Sequence, residues 1–128
     1  EYITYSTPSN STTFGNLAVG KTYMAGTCSP TRGLFAGGFN PPTYLGTQEI
    51  EYITIDTTGN ATTFGDMTVG SESLATMTSN TRGVFAGGVG VSHVENVMDY
   101  VTIDTTGNAT DFGDLTIATS NLAGASGN

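Results

Sequence analysis

A chain of 128 residues suffices for one ordinary domain. Its net charge of −8, with Lys21, Arg32 and Arg82 as the only cations, argues against a nucleic-acid backbone or an anionic lipid surface as partner. No stretch approaches the roughly 18 apolar residues of a membrane span. No basic n-region precedes an apolar run at Glu1, so a signal peptide is expected to be absent or to lie outside these residues.

Glycine (18 residues), threonine (24 residues) and a charged fraction of only 11% shift the expectation to an all-β chain. Threonine is β-branched and suits strands, and helix periodicity is nowhere convincing. Cys28 stands alone, so no internal disulfide is possible, and a small buried side chain is its expected role.

In chain order the sequence repeats. "EYITYSTPSNSTTFGNLAVG" begins at Glu1, "EYITIDTTGNATTFGDMTVG" at Glu51 and "DYVTIDTTGNATDFGDLTIA" at Asp99. The Phe-Gly pair falls at Phe14, Phe64 and Phe112, steps of 50 and 48 residues, and Arg-Gly falls at Arg32 and Arg82. The units run approximately 1–22 (partial), 23–70, 71–118 and 119–128 (partial), within a single segment 1–128.

Glu1–Ser6 reads as the third strand of its unit. The unit 71–118 divides into four strands: Ser73–Ser79, Gly83–Gly88, Asn96–Asp104 and Ala109–Ile117. In the third, Val97, Asp99, Val101 and Ile103 share one face; "TTGN" is a turn before the fourth. Short connections imply an up-and-down antiparallel sheet. The small residues of the first strand suit a crowded centre, and Phe64 and Phe112 are expected to pack between adjacent sheets.

A period near 50 fits a four-stranded propeller blade. Gly37-Gly38 and Gly87-Gly88, then Tyr52 and Tyr100, then Phe64 and Phe112, resemble a kelch-type repeat. Such repeats carry a double glycine, a tyrosine and a tryptophan in that order; here Phe takes the tryptophan position. The resemblance implies kelch-like β-propeller blades, about two and a half in this chain. Closed propellers use four to eight, so other blades of a longer chain or further copies are expected as partners. The tandem units also resemble bacteriophage virion proteins, especially tail-fibre and host-recognition proteins of marine and cyanobacterial phages. That implies a virion or extracellular location and a structural or adhesive role.

Chemistry-bearing motifs are sparse. The glycine pairs match no phosphate-binding pattern and read as close-packed strand ends. Arg32 and Arg82 are expected to make a salt bridge or carbonyl clamp, with Asp56, Asp66, Asp104 or Asp114 as partners. Asp104, Asn108, Asp111 and Asp114 are oxygen donors that calcium favours, but their spacing is not that of an EF-hand and turn roles explain them. His93, in a loop near Glu95, has no nucleophile and orienting partner identifiable from sequence. No catalytic residue, cofactor or metal ligand is assigned.

The stretch after each glycine pair is the variable part. Phe39, Tyr44 and Gln48 in one loop, and His93 and Glu95 in the other, are the candidate ligand- or partner-contacting residues. The reading is a non-enzymatic phage virion or tail-fibre component whose loops attach to a host-surface glycan or protein. The alternatives are a bacterial secreted or cell-surface adhesion module and, third, a propeller enzyme of oxidase or lyase type.

Overall fold

The computed structural model describes residues 1–42 and 45–126. Among them there is no helix. The chain forms β1 (Ala25–Cys28), β2 (Arg32–Ala36), β3 (Glu49–Thr54) and β4 (Thr62–Asp66), then β5 (Ala75–Thr78), β6 (Arg82–Ala86), β7 (Val97–Thr102) and β8 (Thr110–Asp114). Each set of four is one antiparallel sheet in sequential order, β1-β2-β3-β4 and β5-β6-β7-β8.

The two sheets share one register. Leu34 faces Tyr52 and Tyr52 faces Thr62; Val84 faces Tyr100 and Tyr100 faces Thr110. Each last pair of strands carries a bulge. Ile50 opposes Gly65 and Glu51 opposes Thr63, which leaves Phe64 as the extra residue. Phe112 is the extra residue between Gly113 and Asp111. A bulge re-aims the side chain it carries. Here each ring meets its own sheet's tyrosine edge-on, Phe64 with Tyr52 and Phe112 with Tyr100, both at 6.0 Å between centroids.

The sheets stack head to tail. Leu34, Ala36, Ile50 and Phe64 of the first sheet pack on Phe85, Val101 and Ile103 of the second, with Met67 between them. The expected alternation of β7 holds, since Asp99, Val101 and Ile103 are buried while Thr102 and Asp104 are exposed. Phe64 is 3% exposed, and burying such a ring contributes about 1.5–3 kcal/mol. Phe112 is 53% exposed, against expectation, because no further sheet covers β8 among the described residues.

Close backbone contact between units explains the repeated glycines. A Cβ on Gly65 would collide with the Gly107 carbonyl oxygen, where the "TTGN" turn of the second sheet crosses β4. The Phe64 carbonyl accepts from Gly107 N–H, and the Asp66 carbonyl from Ala109 N–H. The same crossing recurs one unit earlier, where a Cβ on Gly15 would meet the Gly59 carbonyl. Gly37 and Gly87 have φ of 64° and 63°, a left-handed conformation that glycine adopts without Cβ strain. Gly38 and Gly88 then donate to the carbonyls of Ser71 and Thr119, which open the next unit.

First strands lie side by side near this seam. Thr76 and Thr78 hydroxyls on β5 donate to the Gly26 and Cys28 carbonyls of β1, at 2.7 and 2.9 Å. Residues 122–126 repeat the placement beside β5, with Thr78 N–H donating to Ser126 Oγ. Tyr23, Ser73 and Asn121, each with φ near 55°, link in series: Ser73 N–H to Tyr23 C=O and Asn121 N–H to Ser73 C=O. Cys28 is exposed rather than buried. It ends β1 at the rim of a cleft that also includes Thr78 and Ser79.

Candidate functional site

In an up-and-down sheet the β2–β3 and β6–β7 connections leave from the same end of the two sheets. These are the loops 39–48 and 89–96, ten residues against eight, and they carry all the candidate contact residues.

In loop 39–48 the backbone of Phe39 exchanges hydrogen bonds with Thr22 and bridges to Gly46. The Pro41-Pro42 peptide bond is cis. Gln48 faces the end of its own unit: its Nε2 donates to the Thr68 carbonyl at 3.0 Å and its backbone carbonyl accepts from Met67 N–H. Gln48 therefore ties the loop to the connector between sheets. Tyr44 lies outside the described residues.

Loop 89–96 is a tight excursion. Val89 bridges to Glu72 and to Val94, and Gly90 N–H donates to the His93 carbonyl. His93 stands between two polar side chains. Ser92 Oγ is 2.9 Å from Nδ1, and Glu95 Oε2 is 3.3 Å from Nε2. The imidazole is mostly exposed while the Glu95 carboxylate is almost fully buried. Gly90 makes room for that carboxylate, since a Cβ there would collide with Glu95 Oε1. A hydroxyl, an imidazole and a carboxylate in line were not identifiable from sequence, beyond the nearness of Glu95 to His93 and the glycine at position 90. A nucleophile also requires donors aimed at a developing oxyanion, and a cleft of about 410 Å³ lies elsewhere, between residues 1–17 and the first sheet.

Arg32 is a carbonyl clamp. Its Nη1 donates to the Ile103 carbonyl of the other sheet at 3.0 Å, and its guanidinium lies 4.5 Å from the Tyr52 ring centre. Arg82 lies 4.7 Å over Tyr100 in the same way. Neither arginine forms an ion pair with Asp56, Asp66, Asp104 or Asp114. The side-chain oxygens of the 104–114 segment have protein partners, two of them in the preceding unit: Asp104 accepts from Thr31 Oγ1, Asn108 from Asp66 N–H and, locally, Asp111 from Gly113 N–H. No group of three His, Cys, Asp or Glu converges among the described residues.

One cluster escaped the sequence reading. Lys21 is buried, with Nζ 2.9 Å from Glu49 and 2.8 Å from Glu51. Glu51 Oε2 also accepts the Ala18 N–H at 2.8 Å. At the same repeat position, Asp99 accepts from Thr68 N–H and Oγ1 at 2.7 to 2.9 Å, with Ser71 in place of lysine. A buried acid capping the preceding unit's connector is thus the shared device, and the lysine bridge is particular to the first sheet.

No family model matches this chain, and no curated protein is significantly similar to it.

Proposed function

We propose that the two sheets are blades of a kelch-like β-propeller segment, and that this segment is a non-enzymatic structural and adhesive part of a bacteriophage particle. The observation that carries the adhesive reading is a contrast within the repeat. Several contacts between units recur at equivalent positions, through Gly65 and Gly15, Gly38 and Gly88, and Glu51 and Asp99. The loops 39–48 and 89–96 at one rim share neither length nor sequence. A scaffold held constant beneath divergent loops is the arrangement by which binding surfaces vary. The side-by-side first strands, filled with Ala, Gly and Thr, support a propeller-like radial order. The phage assignment is supported by the resemblance of the tandem units alone.

On this reading Phe39 and the exposed His93 edge present an aromatic face and an imidazole to a host-surface glycan or protein, and weak single contacts add through multivalency. The test exchanges residues 39–48 for the 89–96 sequence and measures binding to a glycan panel and to intact cyanobacterial cells. Binding that is lost in the exchanged chain at unchanged Tm, together with detection of the chain in purified virions, is the expected result. Equal binding by both chains, or glycan turnover by the unaltered one, overturns the reading.

A further inference from the structure

Glu95 is a buried acid that the repeated scaffold does not call for. Its backbone N–H donates to the Gly88 carbonyl and its carbonyl accepts from Thr119 N–H. In the first loop Thr47 makes the same two bonds, to Gly38 and from Ser71. The fold is therefore served at this position without a carboxylate. The Glu95 side chain is nevertheless only 8% exposed. Gly90 opens the niche that holds it, where the first loop has Asn40.

A buried carboxylate is costly unless a cation faces it. Lys21 is taken up by Glu49 and Glu51, and Arg32 and Arg82 lie over Tyr52 and Tyr100. The chain has no other lysine or arginine. Among the described residues the side chain that meets the Glu95 carboxylate is His93, with Nε2 3.3 Å from Oε2. A neutral imidazole brings a hydrogen bond but no charge. A metal ion on Nε2 brings the charge and bonds the carboxylate directly. The separation suits it: zinc binds imidazole nitrogen and carboxylate oxygen at about 2.0–2.2 Å, and at a tetrahedral angle two such donors stand about 3.4 Å apart. On the other side of the ring, Ser92 Oγ lies 2.9 Å from Nδ1. Nδ1–H donating to that hydroxyl fixes the tautomer that leaves the Nε2 lone pair for a metal.

We infer that His93 Nε2 and Glu95 Oε2 form a zinc site on loop 89–96, with Ser92 as its positioning residue and water in the remaining coordination positions. The carboxylate is held from below, so only the imidazole, 68% exposed, has to swing to admit the ion. Magnesium and calcium favour all-oxygen sites, so the imidazole selects zinc over them. The net charge of −8 raises the local concentration of any divalent cation, and the His–Glu pair decides where it settles. Two protein ligands make an open site, whose water positions lie at the exposed loop rim. The inference rests on the loop geometry and is independent of the adhesive reading.

The test titrates zinc chloride into the full chain, stripped of metal and carrying no affinity tag, and follows it by calorimetry and by imidazole ¹⁵N NMR. His93 is the only histidine, so its ring signals are unambiguous. The expected result is saturable binding of one zinc per chain at micromolar concentration, with the large shift at Nε2 and not at Nδ1, unaffected by a 100-fold excess of magnesium. His93→Ala and Glu95→Gln are each expected to weaken binding at least 10-fold, and Ser92→Ala by less. His93 is exposed, so its variant is expected to keep the fold, checked by an unchanged amide spectrum outside loop 89–96. Cys28→Ser is expected to bind as the unaltered chain does. No binding at millimolar zinc overturns the inference. So does binding that survives His93→Ala, binding that is lost in Cys28→Ser, or several weak equivalents that leave the imidazole signals in place.

Discussion

Phe64 and Phe112 occupy one position of the repeat, sit on the same bulge and touch the same tyrosine edge, yet one is 3% and the other 53% exposed. The junction between the sheets and the outer face of the second sheet are thus the same surface, covered once and uncovered once. Local sequence aims the ring; only the neighbouring sheet decides whether it becomes core. The sharpest way to break this comparison is to truncate both. Phe64→Ala is expected to cost about 3–5 kcal/mol by denaturant unfolding, the range for a buried phenylalanine whose cavity cannot fully collapse. Phe112→Ala is expected to cost under about 1 kcal/mol, because half of that ring is already in water. Equal losses in the two variants would mean that the outer face is covered in solution.

A second contrast separates the two sheets. The first buries a lysine between two glutamates; the second places Ser71, Val97 and Asp99 at those positions. Removing one partner of a buried pair leaves charge without compensation, whereas replacing the whole set can be neutral. Lys21→Met is therefore expected to destabilise by about 3 kcal/mol, since Glu49 and Glu51 then confront one another. Importing the second sheet's solution whole (Ala18→Thr, Lys21→Ser, Glu49→Val, Glu51→Asp) is expected to return the chain to within about 1 kcal/mol of its original stability. A combined variant no better than Lys21→Met would show that the two sheets are not interchangeable at this seam.

These contrasts also mark what could be read in the sequence. Repetition and alternation belong to single strands, so β5 to β8 and the inward face of β7 were legible, as was the glycine pair as a packing device. Burial set by a neighbour was not: Phe112 and Phe64 are identical as letters. Cys28 was misplaced for a related reason, since a small residue on a crowded first strand can still end at an open rim. The lysine bridge was hidden because comparing units draws the eye to what recurs, and Lys21 does not. The sequence placed His93 near Glu95, but the ordering of Ser92, His93 and Glu95 depends on a carboxylate tucked beneath Gly90, which is a tertiary fact.

The arginines give the finest resolution of the same comparison. Arg32 and Arg82 stack on their own tyrosines at nearly equal distances, so the cation–π part of each is alike, about 0.5–1 kcal/mol at a partly exposed site. Among the described residues only Arg32 reaches across the seam, to the Ile103 carbonyl, which adds a hydrogen bond from a charged donor. Arg32→Ala is accordingly expected to cost about 2 kcal/mol and Arg82→Ala about 0.5 kcal/mol. Arg32→Lys keeps the charge but loses the planar fork that stacks and donates at once, so it is expected to fall between them. If Arg82→Ala proves as costly as Arg32→Ala in thermal unfolding, the second arginine too has found a carbonyl beyond its own sheet, and the outer face is not the free surface it is taken to be.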